Sequence, residues 1–554
     1  MKKLLFLLIL PVVLFSIDWR AALKEAEEGN PSLPPLQIIL IIDFHHPKAV
    51  LDGRIVSCDL LEMTSLLYET LSVLEGSSGK FVMALSPSLL RQIRSIPRSA
   101  LKDCEGISRY LPKGFEEGDP VASWKVVCGS IPGKLVGLSS SGKISVSAIP
   151  LYSPPIGLLM KSGLEDHAVD QTEISVKWFS EMFGRVKSFL PPLLDLPPEF
   201  LEILSNLGVS FTFVDSRVIT SPRSVEGINL VPVNLELSSS LANVKDESDL
   251  SNVLSSLHRI QRMGSGGMAI LLRGKDFLGR GDALASIIRA LSSDPYISLS
   301  FPGDLTYRLS NYAPTYRREV LSSEPSLRLW ELFKGIYVTY SKLSKYLKGD
   351  RLEEAKDLVY SLEDATFYES VSKGGEFLDV FDALARKLYE TLGESPKGLP
   401  RAVEFARMEV KLKVFQTVPI LNGVDDDGVW TYASTFEDTG MRIKLLLTSE
   451  GLAIYVSFDG EARDLIGKSR VLIIKLGEDE YRLYFKTFRG RIYVFKNGIL
   501  SGKLKKNFGV WKGVEMLLKA KIPSELSVSL LDSRERKVLS RIPQKGSLRL
   551  DEGR

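Results

Sequence analysis

The residues best suited to chemistry are the segment 43–47 (Asp-Phe-His-His-Pro), which directly follows an apolar run. Two of the four histidines of the chain, His45 and His46, lie here beside the carboxylate of Asp43. Such groups can exchange protons or bind a polar ligand, and with a third ligand they could hold a metal ion. Nothing in the sequence places His167 or His258 nearby. We therefore predict a polar ligand site without a metal; a turn with partly exposed histidines is the alternative.

The segments around this site predict strands that alternate with helices. Apolar runs such as Gln37–Asp43, Lys80–Leu85 and Met268–Leu272 are separated by amphipathic stretches such as Asp59–Leu74 and Asp249–Arg262. Continuous apolar strands alternating with helices are typical of a parallel, helix-covered sheet or barrel. In α/β barrels the functional residues lie at the carboxyl ends of the strands. The position of Asp43, His45 and His46 after the first apolar run fits that pattern.

Several segments, in chain order, resemble glycoside hydrolase family 57. Ile38–Pro47 is similar to a first strand ending in H-x-H-Q-P, and Lys80–Ile93 is similar to N-x-T-P-S-L-L-x-Q-L. Further matching segments are Pro150–Leu159, Trp178–Asp215, Met268–Phe277, Phe377–Pro400 and Pro419–Ala433. The last two resemble the amylopullulanase-like members. The resemblance implies an α/β fold, a (β/α)7-type barrel with a helical domain and a C-terminal all-β sandwich, and an α-glucan as ligand, with no cofactor.

The positions that would carry catalysis depart from the family pattern. Enzymes of this family are retaining and use a Glu nucleophile and an Asp acid/base about 5–5.5 Å apart. Here the nucleophile position is Pro192 and the acid/base position is Arg273. Proline offers no nucleophile, and a guanidinium cannot act as a general acid near neutral pH. The family pattern therefore predicts a catalytically inactive homologue that binds α-glucan or a partner protein.

Two other functions are open at this point. Asp195 and Asp276 each lie three residues from the expected carboxylates, so an active retaining hydrolase or transferase with relocated carboxylates is one alternative. A metal-dependent, deacetylase-like barrel that uses Asp43, His45 and His46 as ligands is the other. For the inactive, ligand-binding homologue, the predicted ligand-binding residues are Asp43, His45, His46 and Asp195.

The resemblance also marks further replacements. A histidine of the family is replaced by Ser153, and a tryptophan-rich segment has become 363–368 (Glu-Asp-Ala-Thr-Phe-Tyr). In the predicted β domain, Trp430, Tyr432 and Tyr455 are candidates for stacking on sugar rings, although aromatic side chains more often serve in cores.

The first residues are typical of an export signal. Lys2 and Lys3 precede the apolar run Leu4–Phe15, and the small residue Ser16 offers a cleavage site. This run is shorter than the roughly 20 residues of a membrane helix. We predict a signal peptide over residues 1–17 and a periplasmic, cell-surface or secreted protein. An uncleaved N-terminal anchor is the alternative, and no other membrane contact is predicted.

Length and composition predict a multidomain globular protein. At 554 residues the chain exceeds the roughly 250–300 residues at which single cores stop growing. We predict a barrel over 35–315, a helical domain over 316–412 and a β-sandwich over 413–554. The net charge of +3 is spread along the chain, so no nucleic-acid partner is predicted. Cys58, Cys104 and Cys128 could form one disulfide and one thiol, or remain reduced.

Overall fold

The structure is a computed structural model and its residues fall into two compact units. One unit runs up to Val320 and also includes Glu363–Ala365; the other comprises Leu321–Leu362 and the chain from Thr366 onwards. The three predicted domain boundaries stay predictions. The described residues are 17–554 except 98, 116–117, 265–266, 311–323, 372–376, 397–398, 400, 403–408, 413, 416–432, 439–440, 449–450, 459–469, 477–478, 485–492, 497–498, 501–507, 511–512, 519–524, 533–536, 543–547 and 553–554.

The first unit alternates strands and helices along the chain. Its strands are β1 (Leu36–Phe44), β2 (Val50–Leu51), β3 (Arg54–Ile55), β4 (Phe81–Leu85), β5 (Ile144–Ala148), β6 (Ser188–Phe189), β7 (Phe211–Asp215), β8 (Arg223–Val225), β9 (Ile228–Val233), β10 (Met268–Arg273), β11 (Ile297–Leu299) and β12 (Arg308–Leu309). Its helices are α1 (Trp19–Glu25), α2 (Asp59–Gly76), α3 (Pro87–Ser95), α4 (Pro120–Ser140), α5 (Ile156–Lys161), α6 (Glu165–Phe183), α7 (Phe200–Asn206), α8 (Leu235–Ala242), α9 (Glu247–Arg262) and α10 (Gly281–Ser293).

Seven parallel strands close into a barrel. Their order is β1, β4, β5, β6, β7, β9 and β10, and β10 pairs with both β9 and β1. The predicted (β/α)7 barrel is therefore confirmed. In the strand register Asp43 lies beside Ala84 on one side and Arg273 on the other. The carboxyl ends of β1 and β10 thus bring an acid and a base together at one edge, which we call the mouth of the barrel.

The apolar strands are buried on both faces. All five residues of β1 from Ile38 to Ile42 are fully buried. One face contributes Ile39 and Ile41 to a barrel core that also includes Val82 and Phe213, and the other faces the surrounding helices. Burial on both sides explains why these strands are continuous apolar runs instead of alternating ones.

The second unit contains a helical region and two β-sheets. Its helices are α11 (Glu324–Leu343), α12 (Asp350–Leu362), α13 (Ala365–Val371, of which Ala365 belongs to the first unit) and α14 (Leu378–Leu392). Its strands are β13 (Glu409–Leu412), β14 (Val414–Phe415), β15 (Ser434–Asp438), β16 (Met441–Thr448), β17 (Gly451–Phe458), β18 (Arg470–Leu476), β19 (Asp479–Tyr484), β20 (Tyr493–Lys496), β21 (Ile499–Leu500), β22 (Phe508–Val510), β23 (Gly513–Leu518), β24 (Glu525–Asp532), β25 (Lys537–Ile542) and β26 (Leu548–Glu552).

The two sheets of the second unit pack against each other, as the predicted sandwich requires. One has the order β13-β26-β24-β18-β19-β20-β21 and the other β14-β16-β17-β23-β22, and β25 beside the first contacts β15 and β16 of the second. Tyr455 is buried against Leu446 and Leu517, so it serves in the core and not as a sugar platform. The other two candidates, Trp430 and Tyr432, lie outside the described residues.

Ile17, the first described residue, packs into the first unit. Ile17 is buried, and its carbonyl accepts a hydrogen bond from the Ser286 hydroxyl. The predicted signal peptide lies outside the described residues except for Ile17 itself. No helix in the described part of the chain is long and apolar enough to cross a bilayer. Cys58 and Cys104 form a disulfide, and Cys128 is free.

Candidate functional site

His45 is held in place at the mouth by two hydrogen bonds. It follows the last residue of β1, and its Nε2–H donates to the carboxylate of Asp364 over 2.7 Å. Its Nδ1 lies 2.8 Å from the hydroxyl of Ser86, which precedes α3. Ser86 also accepts from the backbone N–H of Leu89 and so caps that helix. Both ring nitrogens of His45 are therefore engaged with the protein, and Ser86 is fully buried and closed to a substrate.

The neighbouring histidine has a different environment. His46 is fully buried, and its Nδ1 lies 2.7 Å from the carbonyl of Pro47, to which it donates. Burial lowers the pKa of His46 to about 4, which keeps the ring neutral near pH 7. The Gln92 side chain accepts from the backbone N–H of Ala49 and donates to the carbonyl of Pro47. The His-His-Pro turn is thus fixed from α3, and His46 belongs to its scaffold.

Asp43 is the acid of the site. Its Oδ1 atom is buried and has no hydrogen-bond partner among the described residues. Burial raises the pKa of Asp43 to about 6, although the neighbouring His45, Arg273 and Lys275 act in the opposite direction. A partly buried carboxyl group that titrates near pH 6 can exchange a proton or accept a hydrogen bond from a ligand hydroxyl.

The end of β10 contributes basic groups. Arg273 donates from Nε to the Asp276 carboxylate over 3.1 Å, and both side chains are about one-third exposed, at 30% and 28%. Arg273 thus occupies the place where the family pattern expects an acid. Asp276, the predicted replacement acid, is paired with that same arginine.

Asp195 has a structural role next to the loop after β6. This loop contains a short 3₁₀ turn, Pro192–Leu194, in which Pro192 is buried. The Asp195 carboxylate accepts from the backbone N–H of Gly157 over 2.8 Å, in the first turn of α5. Asp195 is only 8% exposed. A carboxylate at a helix N-terminus satisfies an otherwise unpaired N–H group, so Asp195 acts as a cap for α5.

Comparison with known proteins finds likeness only at the level of solved structures. No protein-family model and no curated protein sequence matches the chain. Two similar structures are family 57 branching enzymes. The one from Thermococcus kodakaraensis is 13% identical with a TM-score of 0.48, covering 65% of this chain and 88% of that one. The one from Pyrococcus horikoshii is 14% identical with a TM-score of 0.48, covering 67% and 94%. The α-amylase AmyC from Thermotoga maritima is 10% identical with a TM-score of 0.45, covering 68% and 100%.

A second polar group lies beside His45, and sequence reasoning missed it. Glu363, next to Asp364, accepts from Nδ1 of His167 over 2.5 Å and from the amide of Gln171 over 2.6 Å. The backbone N–H of Ala365 donates to the carbonyl of Ser153 over 3.1 Å. The sequence signals were the replacement of the family's tryptophan-rich segment at 363–368 and the pair of acids inside an otherwise apolar stretch. Nothing in the sequence linked these acids to histidines more than 190 residues away.

The predicted site residues thus divide into two groups. Asp43 and His45 lie together at the mouth with Arg273, and Asp364 joins them from far along the chain. His46 and Asp195 are buried in the scaffold. Among the described residues no group of three His, Cys, Asp or Glu side chains is arranged to hold a metal ion. Acids, a base and an imidazole at one edge can bind a polyhydroxylated ligand through hydrogen bonds.

Proposed function

We propose that the chain is an exported, catalytically inactive relative of glycoside hydrolase family 57 that binds an α-glucan at the mouth of its barrel. The observation that carries this proposal is the state of Asp195. It is the carboxylate nearest in sequence to the lost nucleophile, and it is buried and bound to the N–H of Gly157. The lost acid position holds Arg273, which pairs with the other candidate acid, Asp276.

The alternative, an active retaining enzyme, requires both carboxylates to change partners. Asp195 would have to release the first turn of α5, and Asp276 would have to leave Arg273. Catalytic groups must stand within about 0.5 Å of the productive geometry. Carboxylates that had left their present partners would satisfy this requirement only if new contacts held them in place. The α-glucan itself is proposed from the sequence resemblance, and Asp43 and Arg273 are the groups we assign to its hydroxyls.

Binding of maltoheptaose tests the ligand. We expect calorimetric titration to detect binding to the wild-type protein and at least tenfold weaker binding to the Asp43→Asn variant, because that variant loses a charged acceptor at the mouth. Glu202→Gln, on the exposed side of α7, is the matched control and should bind like wild type. Equal affinities for all three proteins would place the ligand elsewhere, and no binding to the wild type would refute the proposed ligand.

We also propose that the chain is exported and that the predicted signal peptide at residues 1–17 is removed. The Lys-Lys-apolar start is one support, and the disulfide between Cys58 and Cys104 is another, because disulfides persist in oxidising compartments. Burial of Ile17 supports a folded unit that begins close to the end of the predicted leader. Expressed with its leader in a bacterium, the protein should be recovered from the periplasm with Ile17 or Asp18 as its first residue by intact-mass analysis. Recovery of the full-length mass from membranes would favour the anchor instead.

A further inference from the structure

The segment Glu363–Ala365 belongs to the barrel unit although the residues on both sides belong to the other unit. It forms the break between α12 and α13, and it contacts the loops that follow β1 and β5. Asp364 binds His45 after β1, and Ala365 binds Ser153 after β5. Because β4 is the only strand between β1 and β5, the segment spans three adjacent strand ends. It therefore covers one side of the mouth.

Polar contacts anchor this segment to the barrel unit. Glu363 and Asp364 are both fully buried, and each carboxylate faces a histidine, His167 at 2.5 Å and His45 at 2.7 Å. A buried ion pair contributes little net stability, because removing two charges from water costs about as much as their attraction returns. In line with that cost, burial raises the pKa of Glu363.

The receiving side of the contact is also under strain. Ser153, whose carbonyl accepts from Ala365, has a φ of 55°, a left-handed conformation that costs a non-glycine residue about 1–3 kcal/mol. The segment adds a single apolar side chain, that of Ala365, to the barrel. Regions held by few apolar contacts open locally at a lower free energy than a core. The segment could thus detach while the strands beneath it stay folded.

We propose that Glu363–Ala365 is a releasable clasp that shuts the His45 side of the barrel mouth. Detachment would release Nε2 of His45, Nδ1 of His167, the Gln171 amide and the Ser153 carbonyl in one step. These are hydrogen-bonding groups of the kind a saccharide uses, and the closed clasp occupies them. The claim that the clasp controls ligand entry rests on the proposed function. The claim that the clasp detaches does not depend on that function.

Carbethoxylation of the four histidines, followed by mass spectrometry, tests the clasp without any ligand. In the wild type we expect slow reaction at His45 and His167. In a Glu363→Gln/Asp364→Asn double variant, which keeps the shape and removes both charges, we expect these two rates to rise at least tenfold. His258 should not change, because its hydrogen-bond partners are the Glu27 carbonyl and the Asp294 carboxylate, outside the segment.

The pair His258–Asp294 supplies a matched control. It has the same geometry, with Nε2 to carboxylate at 2.7 Å and both side chains buried, but it lies between α9 and the loop before β11. Asp294→Asn should leave the rates at His45 and His167 unchanged. Unchanged rates in the double variant would overturn the clasp, and so would a joint rise at all four histidines, which would indicate loosening of the whole barrel.

Association of maltoheptaose separates the clasp from the proposed ligand. If the clasp controls entry, the association rate should rise in the double variant together with the histidine rates. Faster histidine reaction with an unchanged association rate would contradict control of entry. Absence of maltoheptaose binding to either protein would refute the α-glucan proposal, while the histidine rates would still decide whether the mouth opens.

Discussion

Replacement of Gly157 by alanine is expected to lower the free energy of unfolding by about 2–4 kcal/mol. A Cβ atom at this position would stand 2.6 Å and 2.7 Å from the two carboxylate oxygens of Asp195. The carboxylate would have to move, which would break its hydrogen bond to the N–H of Gly157 and leave a buried charge without that donor. Chemical denaturation monitored by circular dichroism measures the loss.

Gly129→Ala is the matched control for this prediction. Gly129 is also a helical glycine, on α4, but no atom lies within 4 Å of where its Cβ would stand. Because alanine favours a helix over glycine by about 1 kcal/mol, this variant should be as stable as wild type or more so. A stable Gly157→Ala protein would show that Asp195 is not committed to α5, and would reopen its use as a nucleophile.

Replacement of Asp43 by asparagine is expected to stabilise the protein above pH 6. The folded-state pKa of Asp43 is about 6 against an ordinary value of 3.8, so the folded protein holds a proton that the unfolded chain releases. Stability linked to this group is therefore present at low pH and is lost as the pH rises from about 4 through 6. A raised pKa of this size corresponds to at most about 3 kcal/mol, and partial exposure of Asp43 reduces the expected gain to about 1–2 kcal/mol.

Unfolding measured between pH 4 and pH 8 checks this prediction. The difference between Asp43→Asn and wild type should grow over that range and level off above pH 7, while Glu202→Gln should follow wild type throughout. A difference that does not change with pH would mean that Asp43 is not the buried acid of the mouth. If Asp43→Asn is more stable than wild type, weaker saccharide binding by this variant cannot result from unfolding.

Strands with continuous apolar sequences could be predicted from local pattern. The predicted strand Gln37–Asp43 is observed as Leu36–Phe44, and the predicted helix Asp59–Leu74 is observed as Asp59–Gly76. Gly393 ends α14 in a left-handed conformation, which glycine adopts without strain. These elements follow from periodicity and end signals that lie within a few residues.

Helix α4 was not predicted because its exposed face is not clearly more polar than its buried face. Trp124 and Ile131 point into the core, but the exposed side carries Val126 and Val136 together with glycines. Strand β6 was missed because it has only two residues. In both cases tertiary packing, not local propensity, determines the element.

The site could be predicted only in part, for a related reason. Asp43 and His45 were found because strand-end position is a local signal. The contact of Asp364 with His45 could not be predicted, since 319 residues separate the two. The true role of Asp195 also depends on a partner in another loop, Gly157. Sequence indicates which groups could react, whereas the fold decides which of them are already bound to the protein.

The most direct test of the central claim is prolonged incubation of the purified protein with maltoheptaose, with products separated by chromatography. The claim predicts saturable binding and no shorter or longer maltooligosaccharides from wild type, Asp195→Asn or Asp276→Asn. Products formed by wild type and abolished by Asp195→Asn in a folded protein would contradict it, and would identify the chain as an active enzyme with a relocated nucleophile.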